Sequence, residues 1–357
     1  MSYLLFIIFL IIAILFAKKA DKYEKKRYIY VSIIILSLIA GLRGKNVGID
    51  TQYYYDAFVN DFPKSWQFTE EGFRSITRIL LSIFENPNII MIIYAFITNF
   101  LILIRLWDFR KKCNYTNMII LYICIYFLST MNIMRQFISI AILFYASRFL
   151  EKKKYFSFSI VVILVSTIHK SSLLALLITF IYIWDGLTSR KKVLLFIPIV
   201  LIIAVVCVNV INIEMNHITN YFNMDNSLKN LNIPYLYRIF AFFASIYLSG
   251  IYKTFKRKKD YKENQELISC EDSSEFSAIT KIYFFGLLFA SMGMFYTNMT
   301  RIGLFYLIYE LLYWGYLTKN YNNSKMNWKI ILVYALYVFG IEFIKNGQGI
   351  FPYYLNM

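Results

Sequence analysis

Apolar residues along this chain come in long runs rather than in alternation. Twelve runs stand out, at roughly 3–17, 29–42, 88–107, 117–130, 132–150, 155–168, 171–184, 193–213, 234–252, 280–297, 302–317 and 328–345. Each approaches the ~20 residues a helix needs to cross a hydrocarbon core of ~30 Å. Several are short, so tilting or overlap with the turns is expected. A transmembrane barrel would instead show ~10-residue segments of alternating polarity. The pattern therefore predicts an all-α, polytopic integral membrane protein with about 12 transmembrane helices, 1–357 forming a single transmembrane domain. No internal repeat is visible.

Composition agrees. Of 357 residues 59% are hydrophobic and only 17% charged, whereas soluble domains carry about 25% charged residues. The net charge of +17 would suggest nucleic acid in a soluble protein. Here it falls into place as cytoplasmic loops rich in Lys and Arg. Assigning loops alternately to the two sides puts 27 of the 38 Lys and Arg residues on one side and 11 on the other. The richer side is taken as cytoplasmic, so both termini are expected outside. The N-terminal run lacks a basic flank and reads as a retained first helix, not a signal peptide. The four cysteines, Cys113, Cys124, Cys207 and Cys270, have no CxxC or metal-like spacing, and none is expected outside, so no disulfide is expected. A polar cytoplasmic loop at about 253–279 reads as a solvated linker.

Two outer loops result, at about 43–87 and 214–233. The first holds Arg43, Val47-Gly48-Ile49-Asp50-Thr51, Tyr53-Tyr54-Tyr55 and Glu70-Glu71-Gly72-Phe73. Phe73, Ile76, Leu80 and Ile83 then recur at helical spacing, predicting an amphipathic helix lying on the membrane or tucked into the bundle. The second loop carries His217 and many Asn and Tyr residues. It suits sugar stacking and equally suits a plain polar loop.

Short polar breaks interrupt the apolar runs at Asn132-Ile133-Met134-Arg135-Gln136 and His169-Lys170-Ser171-Ser172. The alternation puts both breaks on the outer side, each before a helix running inward. Asn132 and Arg135 are expected on one face of the helix that starts there, and the serines are expected to cap the next. Arg238 falls one turn into its helix, and Thr300 and Arg301 open another. Helix N-termini present free N–H groups that bind phosphate, and cations beside them invite an anion. Taken singly, each residue has a plainer explanation: Arg238 snorkelling to headgroups, His169 as a packing residue, Glu310 and Glu342 in structural pairs. The coincidence of Arg43, Arg135, His169 and Arg301 at one face is what points to a site. No metal-binding motif and no Gly-rich phosphate loop appear, so neither metal nor cofactor is expected. A substrate already outside, and lipid-linked, fits best.

The ordered series Arg43, Val47-Gly48-Ile49-Asp50-Thr51 with Tyr54, Glu70-x-Gly72-Phe73, Asn132-x-x-Arg135-Gln136, His169-Lys170-Ser171 and Arg301, ending in Pro352-Tyr353, resembles the EpsG family over nearly the whole chain. These are Wzy-like polymerases of bacterial exopolysaccharide and capsule. Glu71 departs from the pattern, where a proline is expected, and leaves open whether Glu70 or Glu71 is the family's acid. The resemblance implies a GT-C/Wzy-like membrane fold in the bacterial plasma membrane. It implies a metal-independent glycosyltransferase that joins oligosaccharide repeat units carried on undecaprenyl diphosphate. It also implies the bilayer, a flippase and a chain-length regulator of the same pathway as partners, and no nucleic acid. From their positions in this series, the expected roles are catalytic for His169, Glu70 and Arg135, and substrate-binding for Arg43, Asp50, Asn132, Gln136, Lys170 and Arg301, with Arg238 added from its place one turn into its helix. A lipid-linked oligosaccharide flippase, a glycan ligase and a membrane O-acyltransferase are the alternatives.

Overall fold

The computed structural model describes residues 3–66, 69–184, 233–249, 270–292, 297–320 and 323–355. Among them the chain is helical throughout, with one isolated β-bridge between Arg43 and Leu355. The expected run 193–213, most of the outer loop 214–233 with His217, and 253–269 lie outside the described residues.

Helices cover the remaining apolar runs. They are α1 (Tyr3–Tyr23), α2 (Arg27–Gly41), α3 (Thr51–Val59), α4 (Glu71–Phe84) and α5 (Pro87–Asp108), then α6 (Tyr115–Asn132), α7 (Met134–Ala146), α8 (Tyr155–Ser166), and a 3-10 segment Lys170–Ala175 leading into α9 (Leu176–Trp184). The rest are α10 (Ile233–Leu248), α11 (Cys270–Met292), α12 (Thr297–Leu307), α13 (Glu310–Asn320) and α14 (Ser324–Lys345). Pro87-Asp108, Tyr115-Asn132, Glu275-Met292 and Ser324-Lys345 are long and apolar enough to cross a membrane. At ~1.5 Å per residue, the 22 residues of α5 reach about 33 Å, enough for the hydrocarbon core.

Four sequence expectations change. The stretch 270–279, read as loop, is the first part of α11. The run 302–317 is two helices, because the chain breaks between Leu307 and Glu310. Arg301 sits in the second turn of α12, which starts at Thr297, and does not open its helix. Asn132 and Arg135 do not share a helix face. Asn132 ends α6, Ile133 leaves helical geometry (φ −83°, ψ 52°), and Arg135 is the second residue of α7.

That one residue reverses the chain. The far end of α7 returns to the far end of α5, where the buried Arg105 guanidinium donates to Phe144 O (3.1 Å), Ser147 Oγ (2.9 Å) and the Glu151 carboxylate. Arg148 pairs with Asp108 at the same end. A buried guanidinium is tolerated because its donors are taken by carboxylates and main-chain oxygens. The near ends of α5, α6 and α7 gather on the opposite side, and the site lies there.

Candidate functional site

Helices α3 and α4 form a cap over that near end, held by its own aromatic cluster. Tyr54, Phe58, Phe62, Phe73, Tyr94, Met134 and Ile138 pack together and are buried, with Phe73 stacked on Tyr94 at 5.5 Å. The amphipathic stripe expected at 73–84 divides. Phe73 and Thr77 are buried, while Ile76, Ile79 and Ile83 are 41%, 61% and 64% exposed. One edge therefore grips the protein and the other is left for lipid. The first turn of α4 is pressed on the end of α8: a Cβ on Gly72 would lie 2.6 Å from the main-chain oxygen of Thr167. Only glycine allows that approach.

This docking separates two neighbouring acids. Glu71 begins the helix and pairs outward with Arg74. Glu70 is extended just before it (φ −59°, ψ 135°), and its carboxylate turns in, 9% exposed. There it is the hub of the site. One oxygen accepts from the Arg135 guanidinium. The other accepts from the main-chain N–H of Lys170 at 2.7 Å, with His169 Nδ1 at 3.8 Å. Both polar breaks of the sequence thus meet on one carboxylate.

The contact to Lys170 does the work the serines were expected to do. His169 precedes the 3-10 turn without a side-chain cap, and Ser172 Oγ is buried without a hydrogen-bond partner. An acid from 100 residues upstream satisfies the free N–H, where carboxylates are favoured. The tighter 3-10 winding follows from the Ser172 N–H bonding back to His169 O.

The remaining expected residues are placed as follows. Arg301 is exposed; its main-chain oxygen accepts from Gln136 Nε2 at 2.5 Å, which ties α12 to α7. Its charge bears on His169, Asp50 and Tyr54. Lys170 is exposed, next to His169 at the start of the 3-10 turn. The Tyr54 hydroxyl lies 3.5 Å from the Arg135 main-chain nitrogen. Asn132 turns its amide to Gln348. Arg43 is braced rather than free. It is buried, with its guanidinium on Thr51 Oγ1 (3.0 Å), Met131 O (2.6 Å) and Ala40 O. Arg238 does not join the cluster. It is buried on the Glu310 carboxylate and the Tyr126 hydroxyl, as a structural pair would be. Glu342 accepts from the Gln348 N–H.

Electrostatically the cluster favours an anion. Arg135 is paired with Glu70, and the charge of Arg301 falls on Asp50 and His169. Burial, with Arg135 and Arg301 adding to it, pushes His169 down to about 4 against the pull of Glu70, so the imidazole is neutral at pH 7. Its ring lies parallel to Phe305 at 6.2 Å. Burial raises Asp50 while Arg301 opposes it. Among the described residues no three His, Cys, Asp or Glu side chains gather as a metal site.

Sequence reasoning missed Gln348, Thr167 and Phe305. Their partners are supplied by distant parts of the chain, and no local spacing announces them. Gly72 and the Asn346-Gly347-Gln348-Gly349 run carried the only signal, as points where a helix pattern stops.

The model of the EpsG family matches residues 26–355, nearly the whole chain. No curated protein and no solved structure matches.

Proposed function

The chain belongs to the EpsG family, and on that footing we propose that it is a membrane glycosyltransferase that polymerises exopolysaccharide or capsule repeat units at the outer face of the bacterial plasma membrane. Its substrates would be oligosaccharides linked to undecaprenyl diphosphate. The observation that carries this reading is the meeting of Arg135, His169 and Lys170 on Glu70, at one end of a helical membrane protein.

In the proposed step, a hydroxyl of one lipid-linked unit attacks the anomeric carbon of the growing chain. A new glycosidic C–O bond forms, and the bond from that carbon to the diphosphate oxygen breaks. The hydroxyl proton passes to His169, which is neutral and so able to accept it. Arg135, Arg301 and Lys170 receive the charge gathering on the departing diphosphate, arginine by two-pronged contacts to phosphate oxygens. Glu70 holds Arg135 in place and faces the imidazole, where it stabilises the imidazolium once formed. Asp50 lines the approach, while Asn132 and Gln136, buried, brace the elements behind it.

The arrangement links binding to base strength. Burial, and after it Arg135 and Arg301, keep the proton off His169. A diphosphate between them offsets their charge, so His169 becomes a better base when substrate is present.

Deleting the gene and sizing surface glycan tests the reading. Polymerase loss leaves single repeat units displayed outside in place of long chains. A flippase would leave lipid-linked units trapped inside, and that result would remove the proposal. Complementation with Arg135→Ala, at normal protein level, is expected to restore no polymer.

A further inference from the structure

The chain beyond α14 does not trail away. Ile350, Phe351 and Tyr353 are buried, and Phe351 and Tyr353 pack on Phe6 near the start of α1 at 5.4 and 4.8 Å. The backbone stitches this segment to the α2–α3 loop. Gly48 N–H donates to Gly349 O (2.7 Å), Ile49 N–H to Gln348 O (3.1 Å) and Gly44 N–H to Tyr354 O (2.8 Å). Asp50 follows directly.

Gln348 stands at the middle of this stitching. Asn132 Nδ2 donates both to its main-chain oxygen (2.9 Å) and to its side-chain oxygen Oε1 (3.1 Å). Gln348 Nε2 donates to Ser129 Oγ at 3.0 Å. Both amide hydrogens of Asn132 are thereby committed, and its Oδ1 is turned toward Gly48, buried without a hydrogen-bond partner. Gly48 has φ +96°, and a Cβ there would lie 2.6 Å from that oxygen. Asn132 is the last residue of α6, and Ile133 alone separates it from α7, where Arg135 meets Glu70. A single residue of reversal has little inherent stiffness. Its angle is fixed by what grips its two ends; on the α6 side Gln348 holds the Asn132 side chain, beside Arg43 on the Met131 main-chain oxygen.

We propose that Gln348 is a positioning residue for the site, acting through Asn132 to set where Arg135 stands against Glu70 and His169, and that residues 346–355 form part of the site's wall. As a role in catalysis this rests on the polymerase reading above; as a role in geometry it does not. Gln348 touches none of Arg135, Glu70 or His169 directly, so its effect passes through the break.

The test uses the full chain in proteoliposomes with Gln348→Met and Gln348→Glu, in a His217→Gln background so that His169 is the only histidine. Methionine keeps the side chain's length and loses both hydrogen bonds. Glutamate still accepts from Asn132 and accepts from the Ser129 hydroxyl in place of donating to it. Two quantities are read: extension of lipid-linked repeat units, and the pH midpoint for carbethoxylation of His169 by diethyl pyrocarbonate. That midpoint reports the burial of the imidazole first, and then how close Arg135, Arg301 and Glu70 stand. With methionine, kcat is expected to fall on the order of 10- to 100-fold with KM little changed, and the midpoint to rise above about 4 as Arg135 moves away. Glutamate is expected to restore both. An unmoved midpoint in Gln348→Met overturns the proposal whatever happens to turnover. A wild-type protein that extends nothing removes the polymerase reading, while a shifted midpoint still upholds the positioning role.

Discussion

Glu70 and Glu71 carry the same chemistry side by side, and only the backbone tells them apart. Glu70 is extended and turned inward; Glu71 opens α4 and faces out to Arg74. Glu70→Gln is therefore expected to reduce polymer by on the order of 100-fold. It should also cost about 1.5–3 kcal/mol of stability, the range for a hydrogen bond to a charged group. Glu71→Gln, exposed, is expected to change neither measurably. Glycan sizing beside thermal unfolding of the purified variants checks both. His169 gives a second expectation. Its folded value lies near 4, below the 6.5 of a free imidazole. Between those values the unfolded chain takes up the proton and the folded chain does not. The protein is thus fully supported at this residue above pH 6.5 and loses stability as pH falls from there toward 4. Carbethoxylation of His169 in the His217→Gln background is expected to show a midpoint near 4, moving upward in Arg135→Gln. A wild-type midpoint at 6.5 would contradict the electrostatics of the cluster.

At the scale of elements, hydrophobic patterning located most of the described helices because a bilayer demands long apolar runs and tolerates little else; α3, inside the expected loop 43–87, it did not announce. The polar breaks Asn132–Gln136 and His169–Ser172 were also legible as reversals, since charges at those points interrupt otherwise unbroken runs. What the sequence did not disclose is how the breaks are closed. The turn at His169 is capped by Glu70 from far upstream, and the turn at Asn132 is held by Gln348 from 216 residues downstream. Both are long-range contacts made by residues whose local context is ordinary. The division of α4 was half legible. Its spacing announced an amphipathic helix, but not that Phe73 would enter an aromatic cluster while Ile76 and Ile83 stay out. The exposed edge is expected in the headgroup layer. A fluorophore at position 76 or 83 should be quenched by brominated lipid, and one at Ser82, on the polar side, should not. Equal quenching at all three would remove α4 from the membrane surface.

Across the whole molecule, charge is segregated by purpose. At the Glu70 cluster Arg135 shares one carboxylate and Arg301 is exposed, whereas Arg105 and Arg238, buried in the bundle, are paired with carboxylates. Arg238 and Glu310 neutralise one another deep among α6, α10 and α13. Arg238→Leu leaves a buried carboxylate unpaired and is expected to cost about 3–5 kcal/mol, seen as lost folded protein. Arg238→Leu combined with Glu310→Leu should recover much of it. An Arg238 that served substrate instead would leave the double variant folded and inactive. On the proposed function, the Glu70 cluster itself joins lipid-linked repeat units. Purified protein in lipid nanodiscs, given only such units and no nucleotide sugar, tests this most directly. A ladder of longer products with release of the lipid diphosphate is expected, abolished in Glu70→Gln and Arg135→Ala variants that still fold. Unextended substrate with the wild-type protein, or an undiminished ladder with those variants, would contradict it.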